Sequence, residues 1–320
     1  MKGLINLGST CFISSILQII FNLKQFKEKF ESNSDSEFKT LYHHYHNVNE
    51  IMVSPEILKR FIISTHLFQG QQGDQHEFLS GLMNIIHEAH HQKCPVKEMT
   101  IFSNSNYEAD AFVQKAYTAF HLNGLTIDSD MNLKGKSYGY ISPIIEVFTG
   151  QLTAGTICVC GAITNTFEIF RSVELSLNEK VTSLTECLDE FTNLEHIEHF
   201  SCDTCGKYQN AARRFTFWHL PPVISFTLKR YNHRAQKNNI VLKTPEILDM
   251  APYLTRNTTI GTKYELVAIA HHAGHVNFGH CFSTIKKADG SWRVLNDQQV
   301  TILPNRVDNP TDYMYFYSRL

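Results

Sequence analysis

The hydrophobic pattern changes along the chain, and this change limits the folds that the chain can adopt. In the first third, apolar residues recur at helical spacing, as they do at 12–23 and again at 78–86. From about Ile145 the pattern becomes one of short runs rich in β-branched and aromatic residues, at 163–170, 215–218, 223–228, 266–270, 282–285, 292–295 and 313–317. The exception is one short helix predicted at 184–194. Helices followed by strands predict an α+β fold in which a helical subdomain packs on a sheet.

Three predicted helices begin with a capping signal, in which a polar residue precedes helix-forming residues. The signals are Ser9-Thr10, Ser54-Pro55-Glu56 and Asp74-Gln75-His76-Glu77. The first predicts that Ser9 or Thr10 caps a helix containing Cys11, and the second predicts a helix as far as about residue 63. Between 93 and 145 the pattern supports only a short helix near 111–122.

The composition excludes several classes of protein. The chain has 320 residues and a formal net charge of −2, which gives no electrostatic case for binding nucleic acid or an acidic membrane. The eight cysteines are unevenly spread, and a chain of this length does not need a disulfide scaffold. No apolar run reaches the roughly 18 residues of a membrane span, and the first residues make a poor secretory signal. We therefore expect an intracellular protein of the nucleus, the cytoplasm or both.

Cys11 lies where a glycine-containing loop becomes the first apolar helix. In the first turn of a helix, unpaired backbone N–H groups and the helix dipole favour a thiolate over a thiol. This position makes Cys11 a candidate nucleophile. The alternative is a free cysteine that is buried as a small apolar side chain, and this stretch alone does not separate the two.

His280 and Asn296 lie on two consecutive predicted strands. His280 follows Gly279 at the start of one strand, and Asn296 stands at the end of the next. Adjacent antiparallel strands bring the start of one beside the end of the other, so the imidazole and the amide can form a hydrogen bond. The chain order Cys, His, Asn suits a nucleophile, its base and the group that fixes the tautomer of the base. The alternative is a structural role for His280, which is the commoner role of a single histidine.

Six motifs, in order from residue 3 to residue 317, resemble those of the ubiquitin-specific proteases. They are a cysteine motif at 3–12, a Gln/Asp motif at 72–79, Leu-Pro-Pro-Val at 220–223 with Leu-Lys-Arg-Tyr at 228–231, two segments at 264–266 and 272–274, a histidine motif at 279–297 and a closing strand at 313–317. The resemblance implies a papain-like cysteine protease fold with thumb, palm and fingers subdomains. It implies one catalytic domain over 1–320, with a helical thumb at about 1–145, zinc-finger-like fingers at about 146–215 and a palm at about 216–320.

The resemblance also assigns catalytic roles by position. Cys11 is implied to attack the carbonyl carbon of the C-terminal glycine of ubiquitin, and His280 to act as base and then as acid for the leaving lysine amine. Asn296 is implied to orient His280, with Asp297 as an auxiliary carboxylate. Asn6 is implied to donate its amide to the oxyanion, and its alternative role is to form the turn before Cys11.

Four further positions are implied to bind substrate: Asp74, Glu77, Gln72 and His272. Asp74 and Glu77 match the acidic positions with which the family meets the basic tail of ubiquitin. Their alternative role is to cap a helix. Capping leaves lone pairs free, so the two roles do not exclude each other.

Within the family, the segments Phe148-Thr149-Gly150-Gln151 and Leu248-Asp249-Met250 most resemble the histone deubiquitinases of the SAGA co-activator complex. This resemblance implies histone H2B as a substrate and small adaptor proteins as partners that complete the activity. Those relatives carry an N-terminal zinc-finger domain. Because the cysteine motif here begins at Gly3, we expect the catalytic core alone, with that domain either absent or removed.

Four of the cysteines form two close pairs, Cys158 with Cys160 and Cys202 with Cys205. The second pair is a Cys-x-x-Cys knuckle, and the resemblance implies a structural Zn²⁺ held by all four thiolates. The first pair is one residue shorter than the knuckle of the family. The alternative is four reduced cysteines without metal, as in family members that have lost the site. Cys281 is another departure, because the family usually has a tyrosine after the catalytic histidine.

The sequence therefore predicts a thiol-dependent deubiquitinase that hydrolyses the isopeptide bond between the C-terminal glycine of ubiquitin and a substrate lysine. Two other hypotheses stay open. A catalytically inactive ubiquitin-binding scaffold would share the motifs, although such proteins usually lose the cysteine or the histidine that this chain keeps. A papain-like protease or a transglutaminase with another substrate would share Cys, His and Asn, but not the Gln/Asp motif or the knuckle.

Overall fold

The structure is a computed structural model that describes residues 1–30, 35–47, 49–50, 52–95, 138–178, 180–255, 260–275 and 278–320. The short helix predicted near 111–122 lies outside these residues. Within the described ranges, no helix combines the length and the apolar character that crossing a membrane requires.

The N-terminal region is helical, as predicted. Its helices are α1 (Cys11–Asn22), α2 (Lys24–Lys29), α3 (Glu37–His46), α4 (Pro55–Thr65) and α5 (Gln75–His90). Every residue of α1 from Cys11 to Phe21 is buried, so this helix is enclosed on all sides rather than amphipathic. Its neighbours include α5 and the main sheet, and the ring of Phe21 packs against Phe38 and Tyr45 of α3.

The predicted cap of α5 is confirmed, whereas the side-chain caps predicted for α1 and α4 are wrong, since Ser54 donates to the carboxylate of Glu56 instead. Asp74 Oδ1 accepts hydrogen bonds from the backbone N–H groups of His76 (2.7 Å) and Glu77 (3.0 Å). Thr10 precedes α1, but its side chain makes no capping hydrogen bond. Its hydroxyl instead accepts from the N–H of Leu7 at 2.9 Å, and this hydrogen bond closes the loop that precedes α1.

The change from helix to strand comes later than residue 145. Residues Pro143–Phe148 form a helix, α6, with Ser142 accepting from the N–H of Ile145 at 3.3 Å and Pro143 in the first turn. Five of its six residues are buried. A short helix that is buried all round has no polar face, so its run of Ile and Val resembled a strand.

Within the described ranges the strands form three sheets, and α7 (Leu184–Phe191) follows the fifth strand. In chain order the strands are β1 (Gln92–Pro95), β2 (Tyr138–Ile141), β3 (Gly150–Cys158), β4 (Ile163–Phe170), β5 (Val173–Ser176), β6 (Leu194–Cys202), β7 (Lys207–His219), β8 (Val223–Lys229), β9 (Ile247–Asp249), β10 (Lys263–His275), β11 (Phe278–Lys286), β12 (Trp292–Asn296), β13 (Gln299–Leu303) and β14 (Asp312–Arg319). Each predicted strand lies within one of these, so the α+β prediction is confirmed.

The large sheet has the order β13-β12-β11-β10-β14-β8-β5, and β9 pairs with β10. Its pairings are antiparallel except for β5 with β8. One face packs on α1 through Cys281, Ile285 and Leu295, and the other carries a second buried cluster that includes α7. A separate antiparallel sheet, in the order β4-β3-β7-β6, extends from 150 to 219. The active-site candidates lie at one end of the large sheet, beside the start of α1.

Candidate active site

Cys11 is the first residue of α1, and its side chain is 4% exposed. The thiol of Cys281 and the backbone N–H of Cys281 donate hydrogen bonds that lower the pKa of Cys11, and the nearby His280 lowers it further. Burial and the carboxylate of Asp297 act in the opposite direction, and the net result is a pKa of about 6. The thiolate is therefore the main form of Cys11 at neutral pH, which is the form that acts as a nucleophile.

His280 Nε2 lies 2.6 Å from Asn296 Oδ1. The antiparallel register of β11 and β12, in which Ser283 pairs with Leu295, brings these two residues together at the end of the strands. An amide oxygen only accepts hydrogen bonds, so Nε2 carries the proton of the neutral imidazole. The Nδ1 atom is then left as the basic nitrogen, which is what a base for Cys11 requires.

Asn6 organises the loop in front of Cys11. Its Oδ1 accepts hydrogen bonds from the N–H of Gly8 (3.0 Å) and from the N–H and hydroxyl of Thr10 (both 3.2 Å). Its Nδ2 donates to Asp297 Oδ2 at 3.2 Å. The oxygen of the amide is thus fixed within the turn, and its N–H₂ group faces away from the turn, toward the end of β12. The turn-forming role is observed, and it sets the direction of the donor.

The turn after Asn296 is attached to both the N-terminal loop and α1. The carbonyl oxygen of Asp297 accepts from the N–H of Leu4 (2.9 Å) and from Gln18 Nε2 (2.8 Å). Gly3 lies so close to this turn that a Cβ there would be 2.1 Å from the carbonyl oxygen of Gln298. Only glycine allows this approach, so Gly3 has a steric role in holding the loop against the turn.

The family model described as "Ubiquitin carboxyl-terminal hydrolase" matches residues 2–317, a range that contains every residue of this arrangement. The chain belongs to the ubiquitin carboxyl-terminal hydrolase family. The six sequence motifs predicted this family, and the match confirms the prediction.

Three of the curated relatives are 24–25% identical to this chain. The ubiquitin carboxyl-terminal hydrolase nonstop of Drosophila melanogaster is 25% identical over 351 residues, with 100% of this chain and 67% of nonstop covered. Hydrolase 51 of Mus musculus is 25% identical over 372 residues (99% and 51% covered), and hydrolase 22 of Homo sapiens is 24% identical over 380 residues (100% and 66% covered). The chain thus spans about half to two thirds of the length of these relatives.

Solved structures similar to this chain include two of the SAGA DUB module, which contains Ubp8, Sgf11, Sus1 and Sgf73. The module bound to monoubiquitin gives a TM-score of 0.73 at 24% identity, covering 100% of this chain and 69% of the solved chain. The module bound to ubiquitin aldehyde gives a TM-score of 0.74 at 23% identity, covering 100% and 70%. This likeness confirms the papain-like cysteine protease fold that the sequence predicted.

Asp74, Glu77 and Gln72 line one groove of about 310 Å³ on the hydrolase surface, beside Phe12 and Phe78. Both carboxylate oxygens of Asp74 are engaged, because Oδ1 caps α5 and Oδ2 accepts from the hydroxyl of Tyr313 at 2.6 Å. Glu77 is exposed in the first turn of α5. The groove therefore presents negative charge at a fixed position, with Glu77 the freer of the two carboxylates.

Gln72 and His272 both support the backbone just before His280. Gln72 Oε1 accepts from the N–H of Gly279 at 3.0 Å. His272 is buried, its Nδ1 is 2.9 Å from the hydroxyl of Tyr231, and burial lowers the pKa of His272, which keeps the ring neutral. A Cβ on Gly279 would lie 2.2 Å from His272 Nε2. The structure thus places His272 under this backbone rather than in the open groove.

The sulfur atoms of Cys158, Cys160, Cys202 and Cys205 all lie within 4.8 Å of one another, at one end of the small sheet. The sulfurs of Cys160 and Cys202 are 3.7 Å apart. Four thiolates at about 2.3 Å from a tetrahedral Zn²⁺ would be separated by about 3.8 Å, so the donor set fits this metal. The backbone N–H groups of Cys205 and Thr204 help to lower the pKa of Cys202 to about 7, which favours the thiolate that a metal needs.

The short Cys-x-Cys pair reaches this cluster because a glycine follows each pair. Gly161 N–H donates to the carbonyl of Cys158, and Gly206 N–H donates to the carbonyl of Cys202, both at 2.8 Å. The two glycines have φ angles of +87° and +65°, a region that other residues rarely adopt. Two similar tight turns therefore present the two pairs, although the pairs differ in length.

Three supporting residues were not predicted as part of the site: Gln18, Tyr313 and Tyr231. Gln18 is fully buried in α1 and donates to the carbonyl of Asp297, so a long polar side chain within a largely apolar helix was the available signal. Tyr313 and Tyr231 lie in motifs that were recognised, but nothing in the sequence pairs them with Asp74 and His272. Their roles come from the sheet, which brings β14 beside β10.

Proposed function

We propose that this hydrolase is a thiol-dependent deubiquitinase that cleaves the isopeptide bond between the C-terminal glycine of ubiquitin and a substrate lysine. The observation that supports this most directly is the pairing of His280 with Asn296 at 2.6 Å, next to a Cys11 whose pKa is about 6. Together they supply a nucleophile in its reactive form and a base in a fixed tautomer.

In the proposed reaction, the Cys11 thiolate attacks the carbonyl carbon of the ubiquitin glycine. Negative charge then develops on the carbonyl oxygen, and the Asn6 N–H₂ group donates a hydrogen bond to it. The His280 imidazolium protonates the lysine amine, which leaves as the C–N bond breaks. A water molecule, deprotonated by His280, then attacks the thioester and releases ubiquitin with a free carboxylate. Asn296 keeps the ring oriented through both steps.

Asp297 has two proposed roles. Its carboxylate accepts from Asn6 Nδ2, and its carbonyl joins the N-terminal loop to the end of β12. It therefore holds the oxyanion donor and the histidine partner in one rigid unit. Its charge also opposes ionisation of Cys11, so its value to the reaction lies in positioning rather than in activating the thiol.

We also propose that the groove lined by Asp74, Glu77 and Gln72 binds the tail of ubiquitin. Asp74 is held in place by Tyr313 and Glu77 is exposed beside it, so one fixed and one freer carboxylate face an incoming chain. Basic side chains in the tail would form charge-assisted hydrogen bonds with them. His272 contributes from beneath, by supporting the backbone of Gly279 next to the path of the tail.

The four-cysteine cluster is proposed to hold one structural Zn²⁺. Cys158, Cys160, Cys202 and Cys205 would be its ligands, and the metal would join the β3–β4 turn to the β6–β7 turn. We assign these strands to the fingers (about 146–215), the N-terminal helices to the thumb (about 1–145) and the large sheet to the palm (about 216–320). β5 falls within the residue range of the fingers but pairs with β8, so it joins the sheet of the palm. In this division the metal stabilises the fingers and takes no part in the reaction.

The partners are proposed from the relatives. The two solved modules contain Sgf11, Sus1 and Sgf73 together with ubiquitin or ubiquitin aldehyde, so we propose adaptor proteins of this type and a nuclear location. Ubiquitinated histone H2B is the proposed substrate. A test compares cleavage of mono-ubiquitinated nucleosomes with cleavage of a di-ubiquitin panel, with and without co-purifying proteins. Activity restricted to di-ubiquitin would contradict the histone substrate.

The activity itself is tested with a fluorogenic ubiquitin conjugate. Wild-type protein should release the fluorophore, Cys11→Ala should abolish release, and Cys187→Ala, which removes a buried thiol from α7, should behave as wild type. If the wild type, with its adaptors present, binds ubiquitin without cleaving the conjugate, the chain is a scaffold instead. If it neither binds nor cleaves, it acts on another substrate.

A further inference from the structure

Two thiols meet at the reactive end of α1. Cys281 follows His280 on β11, and its side chain points to the face of the sheet that packs on α1. Cys11 and Cys281 are 4% and 2% exposed, both are reduced, and both belong to one cluster of buried side chains. α1, which begins with Cys11, packs directly on β11, and Cys281 is close enough to Cys11 to lower the pKa of its thiol. The two sulfur atoms are therefore neighbours in the folded protein.

The two sulfur atoms differ in charge. The hydrogen bond to Cys11 and burial raise the pKa of Cys281 far above the ordinary range, so Cys281 remains a thiol while Cys11 is ionised. The Nε2 atom of Gln72 lies 4.0 Å from the sulfur of Cys281. Among the described cysteines, Cys187 lies in a different buried cluster and the other four form the knuckle cluster. Cys281 is thus the cysteine placed to react with Cys11.

We propose that Cys11 and Cys281 form a reversible disulfide when the protein meets hydrogen peroxide, with Cys281 as the resolving thiol that switches the active site off. This inference rests on the proposed function, in which Cys11 is the nucleophile.

The reaction has two balanced steps. The Cys11 thiolate attacks one oxygen of hydrogen peroxide, the O–O bond breaks, and Cys11 becomes a sulfenic acid while hydroxide leaves and takes up a proton. The sulfur of Cys281 then attacks the sulfur of Cys11. The S–O bond breaks, the proton of Cys281 leaves with the hydroxyl group as water, and the S–S bond forms. Overall two thiols lose two electrons, and peroxide is reduced to two molecules of water.

The disulfide would have two effects. It removes the nucleophile, so turnover stops while the bond is present. It also uses up the sulfenic acid before a second peroxide converts it to a sulfinic acid, a step that thiols do not reverse. A small-molecule dithiol would reduce the disulfide and restore the enzyme.

The test treats the purified 320-residue chain with hydrogen peroxide and divides it into two portions. One portion is mapped as peptides without reduction, and the other is treated with dithiothreitol before its activity is measured. Wild type and the Cys187→Ala control should lose two hydrogen atoms in mass, yield a Cys11–Cys281 cross-linked peptide and recover most of their starting activity. In Cys281→Ala, Cys11 should gain two oxygen atoms, and recovery relative to its own untreated activity should be lower by about tenfold. Cys281→Ser, which keeps a hydroxyl donor, should behave like Cys281→Ala.

Other results would overturn the proposal. One is as much sulfinic acid on Cys11 in the wild type as in the Cys281 variants. Another is a disulfide between Cys11 and a different cysteine, and a third is equal recovery of activity in all variants. Peptide mapping does not depend on turnover. If protein that does not cleave ubiquitin conjugates still yields the cross-linked peptide, the proposed function is contradicted but formation of the disulfide is supported.

Discussion

Asn6 Nδ2 donates to Asp297 Oδ2 at 3.2 Å, although 291 positions separate the two residues in the chain. This hydrogen bond joins the loop that presents Cys11 to the turn that follows Asn296. The proposed oxyanion donor and the partner of His280 therefore belong to one connected unit, and a change in either loop should affect the other.

Substitution of Asn6 should separate its donor role from its role in the turn. Asn6→Asp keeps an oxygen for the N–H groups of Gly8 and Thr10 but removes the donor, so kcat should fall by about 10²–10³ with little change in KM. Asn6→Asp combined with Asp297→Asn restores a hydrogen bond between the two positions and should recover thermal stability but not kcat. Steady-state kinetics and melting curves of both variants check this, and full activity of Asn6→Asp would remove Asn6 from the mechanism.

Gly3→Ala should loosen the N-terminal loop. The new Cβ would lie 2.1 Å from a backbone oxygen that cannot rotate away, so the loop must shift. We expect a loss of about 1–3 kcal/mol in the free energy of unfolding and a lower kcat, because Asn6 moves with the loop. Gly261→Ala is the matched control, since its nearest neighbour would be 3.7 Å away, an ordinary contact. Equal stability and kcat in the two variants would show that the close approach has no consequence.

The reactivity of Cys11 should follow a pKa of about 6. Only the thiolate reacts with iodoacetamide, so the rate of alkylation at Cys11 should rise through pH 6 and level off near neutrality. An ordinary cysteine would instead rise near pH 8.5. Cys281→Ala removes the donor that stabilises the thiolate, so the midpoint should move upward. Site-resolved mass spectrometry measures both curves, and a wild-type midpoint near the ordinary value would contradict the assigned hydrogen bonds.

Removal of a knuckle cysteine should release metal and destabilise the small sheet. Purified protein should contain one zinc per chain, and Cys202→Ser should contain much less and melt at a lower temperature. Structural zinc contributes about 10–16 kcal/mol in small finger peptides, so a large shift is expected. Cys187→Ser controls for loss of a buried cysteine elsewhere. Fully active wild-type protein without zinc would show that the four cysteines remain unligated.

Much of the fold could be predicted from the sequence, because its signals are local. Asp74 caps α5 as expected, since a cap depends on residues only two and three positions away. Each predicted strand lies within an observed one, because aromatic and β-branched runs identify strands. The polar strands were missed: β7 begins at Lys207 rather than near 215, and β3, β6 and β13 were not predicted. The helix at 143–148 was wrongly assigned because a short, fully buried helix lacks the polar face on which periodicity depends.

The finer structure of the site could not be predicted, because it depends on contacts between distant segments. Thr10 bonds within its own loop rather than capping α1, and Asp74 meets Tyr313 across 239 positions. Gln72 reaches Gly279 across 207 positions. The alignment of β10, β11 and β14 in the sheet determines such contacts. The residue pattern of a single segment does not predict them. Residues of the candidate site could be predicted from the sequence, whereas the contacts that hold them in place are seen only in the structure.

The most direct measurement is reaction with a ubiquitin whose C-terminus carries an electrophilic trap, followed by peptide mapping. Wild-type protein should form one covalent adduct, located on Cys11. Cys11→Ala should form none, and Cys187→Ala should react as the wild type does. An adduct on another cysteine, or undiminished labelling of Cys11→Ala, would contradict the assignment of Cys11 as the nucleophile of a deubiquitinase.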